Sequence, residues 1–205
     1  VSLEPLFQRA QLWRGGELPS VVPGIPTGHE ALDQHLPGGW PQAALTELLV
    51  PELGIGAMQL VLPALGALSQ NHWIVFVAPP HPPYAPALAA AGVNLQHVLW
   101  VRAAQQGDAL WALEQTLRSG SCAAVLGWPR LRDSRGLRRL QLAAEAGRSW
   151  GILFRPDRDA RQASPAALRL RLTPQADGVR VEILKRRGGG AGQGFPLALP
   201  LARMQ

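Results

Sequence analysis

Leu45–Gln59 reads Leu-Thr-Glu-Leu-Leu-Val-Pro-Glu-Leu-Gly-Ile-Gly-Ala-Met-Gln. The run Leu45–Val50 predicts a strand, Gly54 and Gly56 a tight turn, and Ala57–Ser69 a helix. Strand, glycine turn and helix together make the setting of a phosphate-binding loop, whose backbone N–H groups cradle phosphate at a helix N-terminus. The chemistry of such a loop is missing. It needs a Lys to reach the β- and γ-phosphates and a Ser or Thr hydroxyl to hold Mg²⁺. Pro51–Leu60 contains no Lys, Ser or Thr. The stretch therefore reads as a nucleotide-binding scaffold stripped of its nucleotide chemistry. Gly54 and Gly56 form a degenerate phosphate loop whose glycines serve the turn. No cofactor, metal or catalytic residue is expected.

Working outward, Thr27-Gly28-His29-Glu30 predicts a capping box that starts a short helix over about Gly28–Gln34. Pro37-Gly38-Gly39 ends it. Residues 1–20 read as an amphipathic arm, with Leu3, Leu6, Phe7, Ala10 and Trp13 near helical spacing. Downstream, Pro63 is expected to kink the helix after the glycine turn or delay its start. Trp73–Ala78 is a continuous apolar run, the mark of a strand buried on both faces. A proline-rich loop, Pro79–Pro83, leads to a helix over Tyr84–Ala91. Strands are expected at Val98–Val101, Cys122–Leu126 and Trp150–Phe154. Between them lie a helix N-capped by Asp108, with Leu110, Leu113 and Leu117 on one face, and a helix over Leu137–Ala146 ended by Gly147. Leu168, Leu170 and Leu172 alternate with Arg169 and Arg171, and Val179, Val181 and Ile183 alternate with Arg180 and Glu182. With Asp177-Gly178 between them, these runs predict a β-hairpin. The expected fold is α/β: a mostly parallel twisted sheet of buried strands, helices on both faces, and a C-terminal antiparallel hairpin. Its parts are an arm (1–20), one core domain (21–187) and a glycine-rich tail (188–205).

Composition narrows the function. The single cysteine, Cys122, excludes a disulfide framework and a cysteine-based zinc site. Five scattered histidines show no H-x-x-x-H pair. No apolar run is long enough to span a membrane, and Val1–Phe7 lacks a signal-peptide pattern, so a cytoplasmic location is expected. The formal charge is +6, and Lys185 is the sole lysine. Such a balance favours nucleic acid or an acidic partner, and equally reflects an arginine-rich G+C-rich genome; location must decide. Five arginines fall within Trp128–Arg139, and three more follow in Arg155–Pro165. Arg130, Arg132, Arg135, Arg155, Arg158 and Arg161 are candidate DNA-phosphate contacts. Solvated arginines paired with Asp133, Asp157 and Asp159 account for the same pattern. Leu6, Phe7 and Trp13 on the amphipathic arm and Tyr84 at the proline-rich loop are candidate partner-binding residues, and seven tryptophans are many for this length.

The order of these motifs resembles the RecA-fold core, from Pro26-Thr27-Gly28 and Pro37-Gly38-Gly39 through Phe76-Val77-Ala78 and Ala91-Gly92-Val93 to the closing hairpin. Within it the chain is similar to ImuA, the RecA-like accessory family of bacterial mutagenic translesion synthesis. That family is itself related to the SulA cell-division inhibitors. Gly54-Ile55-Gly56, Val77-Ala78-Pro79-Pro80, Leu137–Glu145 and Glu182–Gly189 carry the narrower likeness. Compared with a working recombinase, about Gly56 and Ala57 replace the Lys and Thr, Pro80 the catalytic Glu, and Gly127 or Trp128 the strand-end Asp. The three parts are absent together, which argues against hydrolysis. The resemblance implies a non-enzymatic adaptor in the SOS response. Its partner would be an ImuB-type inactive Y-family polymerase homologue, working with an error-prone C-family polymerase. RecA and single-stranded DNA stand as further candidate partners. The alternative it implies is a SulA-like inhibitor acting on the cell-division GTPase FtsZ.

Overall fold

The computed structural model describes residues 24–199 apart from 53, 55 and 132. The expected arm, with Leu6, Phe7 and Trp13, and the candidate Arg132 lie outside the described residues. Among the described residues eight strands form one sheet: β1 (Leu45–Val50), β2 (Trp73–Val77), β3 (Val98–Val101), β4 (Cys122–Gly127), β5 (Trp150–Pro156), β6 (Leu168–Gln175), β7 (Gly178–Arg186) and β8 (Phe195–Ala198). Their order is β3-β2-β4-β5-β1-β6-β7-β8. The helices are α1 (Glu30–His35), α2 (Ala57–Ser69), α3 (Ala85–Ala90), α4 (Gln106–Arg118) and α5 (Ser134–Gly147).

The sheet is mixed, which corrects the expectation of a mostly parallel, RecA-like core. Pairings from β3 across to β6 are parallel, whereas β6–β7 and β7–β8 are antiparallel. The expected hairpin is two-thirds of a three-stranded wing. Its third strand, β8, lies beyond the glycine tract, where Phe195 and Leu197 turn inward while Pro196 and Ala198 turn out. Four residues of period-2 pattern are a faint signal beside so many glycines. A second correction concerns β3, expected to be buried. It is one of the two outer strands among the described residues, and its two central side chains are exposed.

The first strand holds the centre. All six residues of β1 are buried between β5 and β6. On one face Leu48, Phe76, Leu126 and Ile152 pack with Leu60, Val61 and Leu65 of α2. On the other Leu45, Val75, Val125 and Leu153 pack with Leu113 and Leu117 of α4 and Leu137 and Leu140 of α5. Each fully buried Leu of this kind contributes about 1.5–3 kcal/mol. The two polar residues of β1 are buried with partners. Thr46 Oγ1 accepts a bond of 2.9 Å from Trp150 Nε1, and Glu47 meets two arginines, described below.

Several ends differ from the sequence reading. The Thr27 backbone N–H is satisfied by Asp33 Oδ1 at 3.2 Å rather than by Glu30, because α1 starts two residues later than a Thr27 cap would place it. Pro63 sits within a continuous α2 and abuts Gly28, where a methyl group would come within 2.4 Å of the proline Cβ. Helix α4 is preceded by Gln105, with Asp108 in its first turn beside the positive helix end. Asp133 caps α5 by accepting from the N–H groups of Arg135 and Gly136, so this helix begins at Ser134. Its left-handed end is Arg148, with φ of 53°. Gly147 serves a different need: a side chain there would lie 2.0 Å from the Leu117 carbonyl oxygen.

Candidate functional site: an apolar sheet edge

The arginine set separates into unlike parts. Arg155 is 1% exposed. Its guanidinium donates to Glu47 Oε1 through Nη1, and to Asp159 Oδ2 at 2.9 Å and Gln162 Oε1 at 3.2 Å through Nη2. Arg169 Nε donates to Glu47 Oε2 at 2.6 Å, and its Nη atoms donate to the carbonyls of Asp159, Ala160 and Gln162. Arg155 thus ties β5 to β1 from within the core, its guanidinium committed to protein acceptors rather than standing in an exposed loop. The pairing with Asp159 named beforehand is present, inside rather than at the surface. Arg130, Arg135, Arg158 and Arg161 are exposed. Arg135 belongs to the first turn of α5 rather than to a loop.

The glycine turn after β1 is left-handed at both of its expected positions. Gly54 and Gly56 have φ of 91° and 93°, a region only glycine enters freely. A methyl at Gly56 would come within 3.1 Å of Leu199 Cδ1 and 3.6 Å of Val179 Cγ1. The loop is thus backed by apolar side chains of the antiparallel wing. Tyr84 stands at the start of α3 and is 71% exposed.

Exposed apolar side chains concentrate near one edge of the sheet. Seven large hydrophobic side chains are exposed among the described residues. Five of them, Trp73, Leu95, Leu99, Trp100 and Trp111, lie on β3, the turn entering it, the first residue of β2, or α4. Among the described residues β3 pairs with β2 alone, Leu99 opposite Val75 and Trp100 opposite Phe76. Successive side chains point to opposite faces, so the edge shows an apolar group on each: Leu99 46% and Trp100 42% exposed. Arg102 lies over Trp100, its Cζ 5.0 Å from the ring centroid. Trp73 meets His97 edge-on at 5.5 Å, and His97 Nδ1 is fixed 2.6 Å from the Ser69 carbonyl. Asn94 caps the turn, accepting from the Gln96 N–H at 3.1 Å, while its own N–H donates to Ser69 Oγ at 2.9 Å. These bonds hold the entry to β3 rigid. A strand that is unpaired on one side among the described residues and carries exposed aromatics is a template for protein docking.

The sequence reading missed these five residues. One signal was present: Trp111 follows Leu110 and so falls about 100° off the Leu110–Leu113–Leu117 stripe. The other was the four-residue length of the strand, a common device at sheet edges.

Two further groups have shifted ionisation. Burial pushes the Cys122 thiol up from its ordinary value, with a Ser119 hydrogen bond opposing. Burial lowers Lys185, as do Arg169 and Arg187, with Glu47 opposing. Among the described residues no helix is long and apolar enough to cross a membrane.

Comparison with known proteins bears on the same stretch. The family model "Cell division inhibitor SulA" matches residues 44–151. A cell division inhibitor SulA from Edwardsiella piscicida is 43% identical over 114 residues, covering 52% of this chain and 67% of the relative. One from Serratia proteamaculans is 32% identical over 117 residues, covering 56% and 69%. The crystal structure of SulA from Pseudomonas aeruginosa shares 27% identity, with a TM-score of 0.45 over 54% of this chain and 97% of that one. The family model and the relatives in sequence overturn the narrower resemblance to ImuA. With it fall the translesion adaptor role and its implied partners: the ImuB-type polymerase homologue, the C-family polymerase, RecA and single-stranded DNA.

Proposed function

Because the chain belongs to the SulA family of cell-division inhibitors, which are not enzymes, we propose that it blocks septation by docking on FtsZ through the β3 edge. One observation carries this reading. The family match over residues 44–151 contains every exposed hydrophobic residue of the edge, from Trp73 to Trp111. A docking inhibitor needs a preformed surface with aromatic anchors, and it has no use for a phosphate-loop Lys or a catalytic carboxylate. The edge supplies such a surface, and the loop at Pro51–Leu60 has no Lys, Ser or Thr. The proposed site of action is the cytoplasm, where FtsZ assembles.

The reading is tested in cells. Controlled overproduction of the chain should produce filaments lacking septa while DNA replication continues. Normal division at a protein level matching that of FtsZ would refute it.

A further inference from the structure

A cleft of about 350 Å³ opens at the carboxyl ends of the central strands, on the opposite side of β2 from the β3 edge. Its walls include Phe76, Phe154, Trp128 and Tyr84, with the prolines of the 79–83 loop on one rim and Gly54 and Gly56 on the other. The chain direction reverses here. After β2 it runs to α3, whose Leu88 packs on the α2 face of the sheet. After β4 it runs to α5, which packs on the opposite face. Such a switch point leaves a crevice between adjacent strand ends, the usual ligand position in open α/β sheets. The volume lies in the range of small-molecule sites.

The lining is selective in charge. The chain carries 20 basic residues, yet among the described residues that line this cleft none is Lys or Arg. Its ionisable side chains are Glu52, His81 and Tyr84. A phosphate-bearing ligand would meet no cation and one carboxylate. Aromatic faces are plentiful instead: Trp128 stacks on Phe154 at 4.7 Å and 8°, and Tyr84 stands largely free at the mouth. Aromatic rings with a single carboxylate attract an ammonium group, because ring faces are electron-rich and the carboxylate supplies the counter-charge.

We propose that this cleft binds a small organic cation with an apolar body, such as a quaternary or protonated amine. The rings of Trp128 and Tyr84 hold it, and Glu52 balances its charge. The site stands apart from the docking edge and does not depend on the FtsZ reading.

The test uses benzyltrimethylammonium as the cationic probe, with benzyl alcohol and phenylacetate as neutral and anionic controls. Binding is followed by Trp fluorescence and by NMR shifts of the Gly54 and Gly56 amides and the Trp128 indole. The cation should bind saturably, about tenfold or more tighter than the alcohol. Phenylacetate and ATP should leave the spectra unchanged. Tyr84→Ala and Glu52→Gln, both at exposed positions, should each weaken the cation by about threefold or more while leaving the thermal midpoint unmoved. Equal binding of cation and anion, absence of saturable cation binding, or indifference to both substitutions would overturn the proposal.

Discussion

Replacing Glu47 by Gln tests how the centre of the sheet is held. The Glu47 side chain is fully buried, and its two oxygens accept separately from Arg155 Nη1 and Arg169 Nε. Arg155 is also fully buried, and Arg169 nearly so. The amide keeps one acceptor and turns its N–H₂ toward a guanidinium. Two buried cations are then left with the carboxylate of Asp159, whose side chain accepts from Arg155 and Gln162 while Arg169 reaches only its backbone carbonyl. Removing one partner of such a set costs about 3–5 kcal/mol, because a desolvated charge is left without its counter-charge. For a chain of this size that is a fall of about 6–20 °C in the thermal midpoint. Urea unfolding should show a lower midpoint at unchanged slope. The control is Glu182→Gln, which breaks a half-exposed pair with Arg171 at 3.0 Å. It should change stability by no more than about 1 kcal/mol. If Glu47→Gln cost as little as Glu182→Gln, water would be reaching the cluster and its structural role would be refuted.

Three other outcomes follow from named contacts. Gly147→Ala should destabilise by at least about 1–3 kcal/mol in urea unfolding, since its methyl meets the backbone of Leu117 and neither helix end can yield cheaply. Lys185, whose Nζ donates to the Ser164 carbonyl at 2.7 Å, has its folded pKa depressed below 10.5. The unfolded chain therefore holds more protons between the depressed value and 10.5, and stability rises with pH across that window. Lys185→Met should remove this rise when its urea midpoints are compared with those of the parent protein. The thiol of Cys122 is raised above 9.0, so iodoacetamide should alkylate it more slowly in the folded protein than in urea at mildly alkaline pH.

Much of the fold was legible because its signals are local. Leu45–Val50 and Trp73–Val77 are strands where apolar runs placed them, and Gly54 and Gly56 turn left-handed as a strand–turn–helix requires. What the sequence hid was partnership across distance. Arg155 looked like one of several loop arginines, yet its counter-charge lies on β1, 108 residues away. β3 looked like any core strand, because edge position depends on the order of all eight strands. The family assignment failed for a related reason. Strand, glycine turn and helix in succession are shared by many α/β proteins, and the likeness to ImuA rested on short pieces of that pattern. The SulA match instead spans residues 44–151 as one run.

The most direct measurement is the effect of the purified chain on assembly of the cognate FtsZ with GTP, followed by light scattering and sedimentation. The wild-type chain at equimolar ratio should reduce polymer mass, and the Leu99→Asp/Trp100→Glu variant should need about tenfold more protein for the same effect. Both substituted side chains are exposed, so circular dichroism and the thermal midpoint should match those of the parent. Unimpeded polymerisation with the wild-type chain, or full potency in the edge variant, would contradict a division inhibitor that docks through β3.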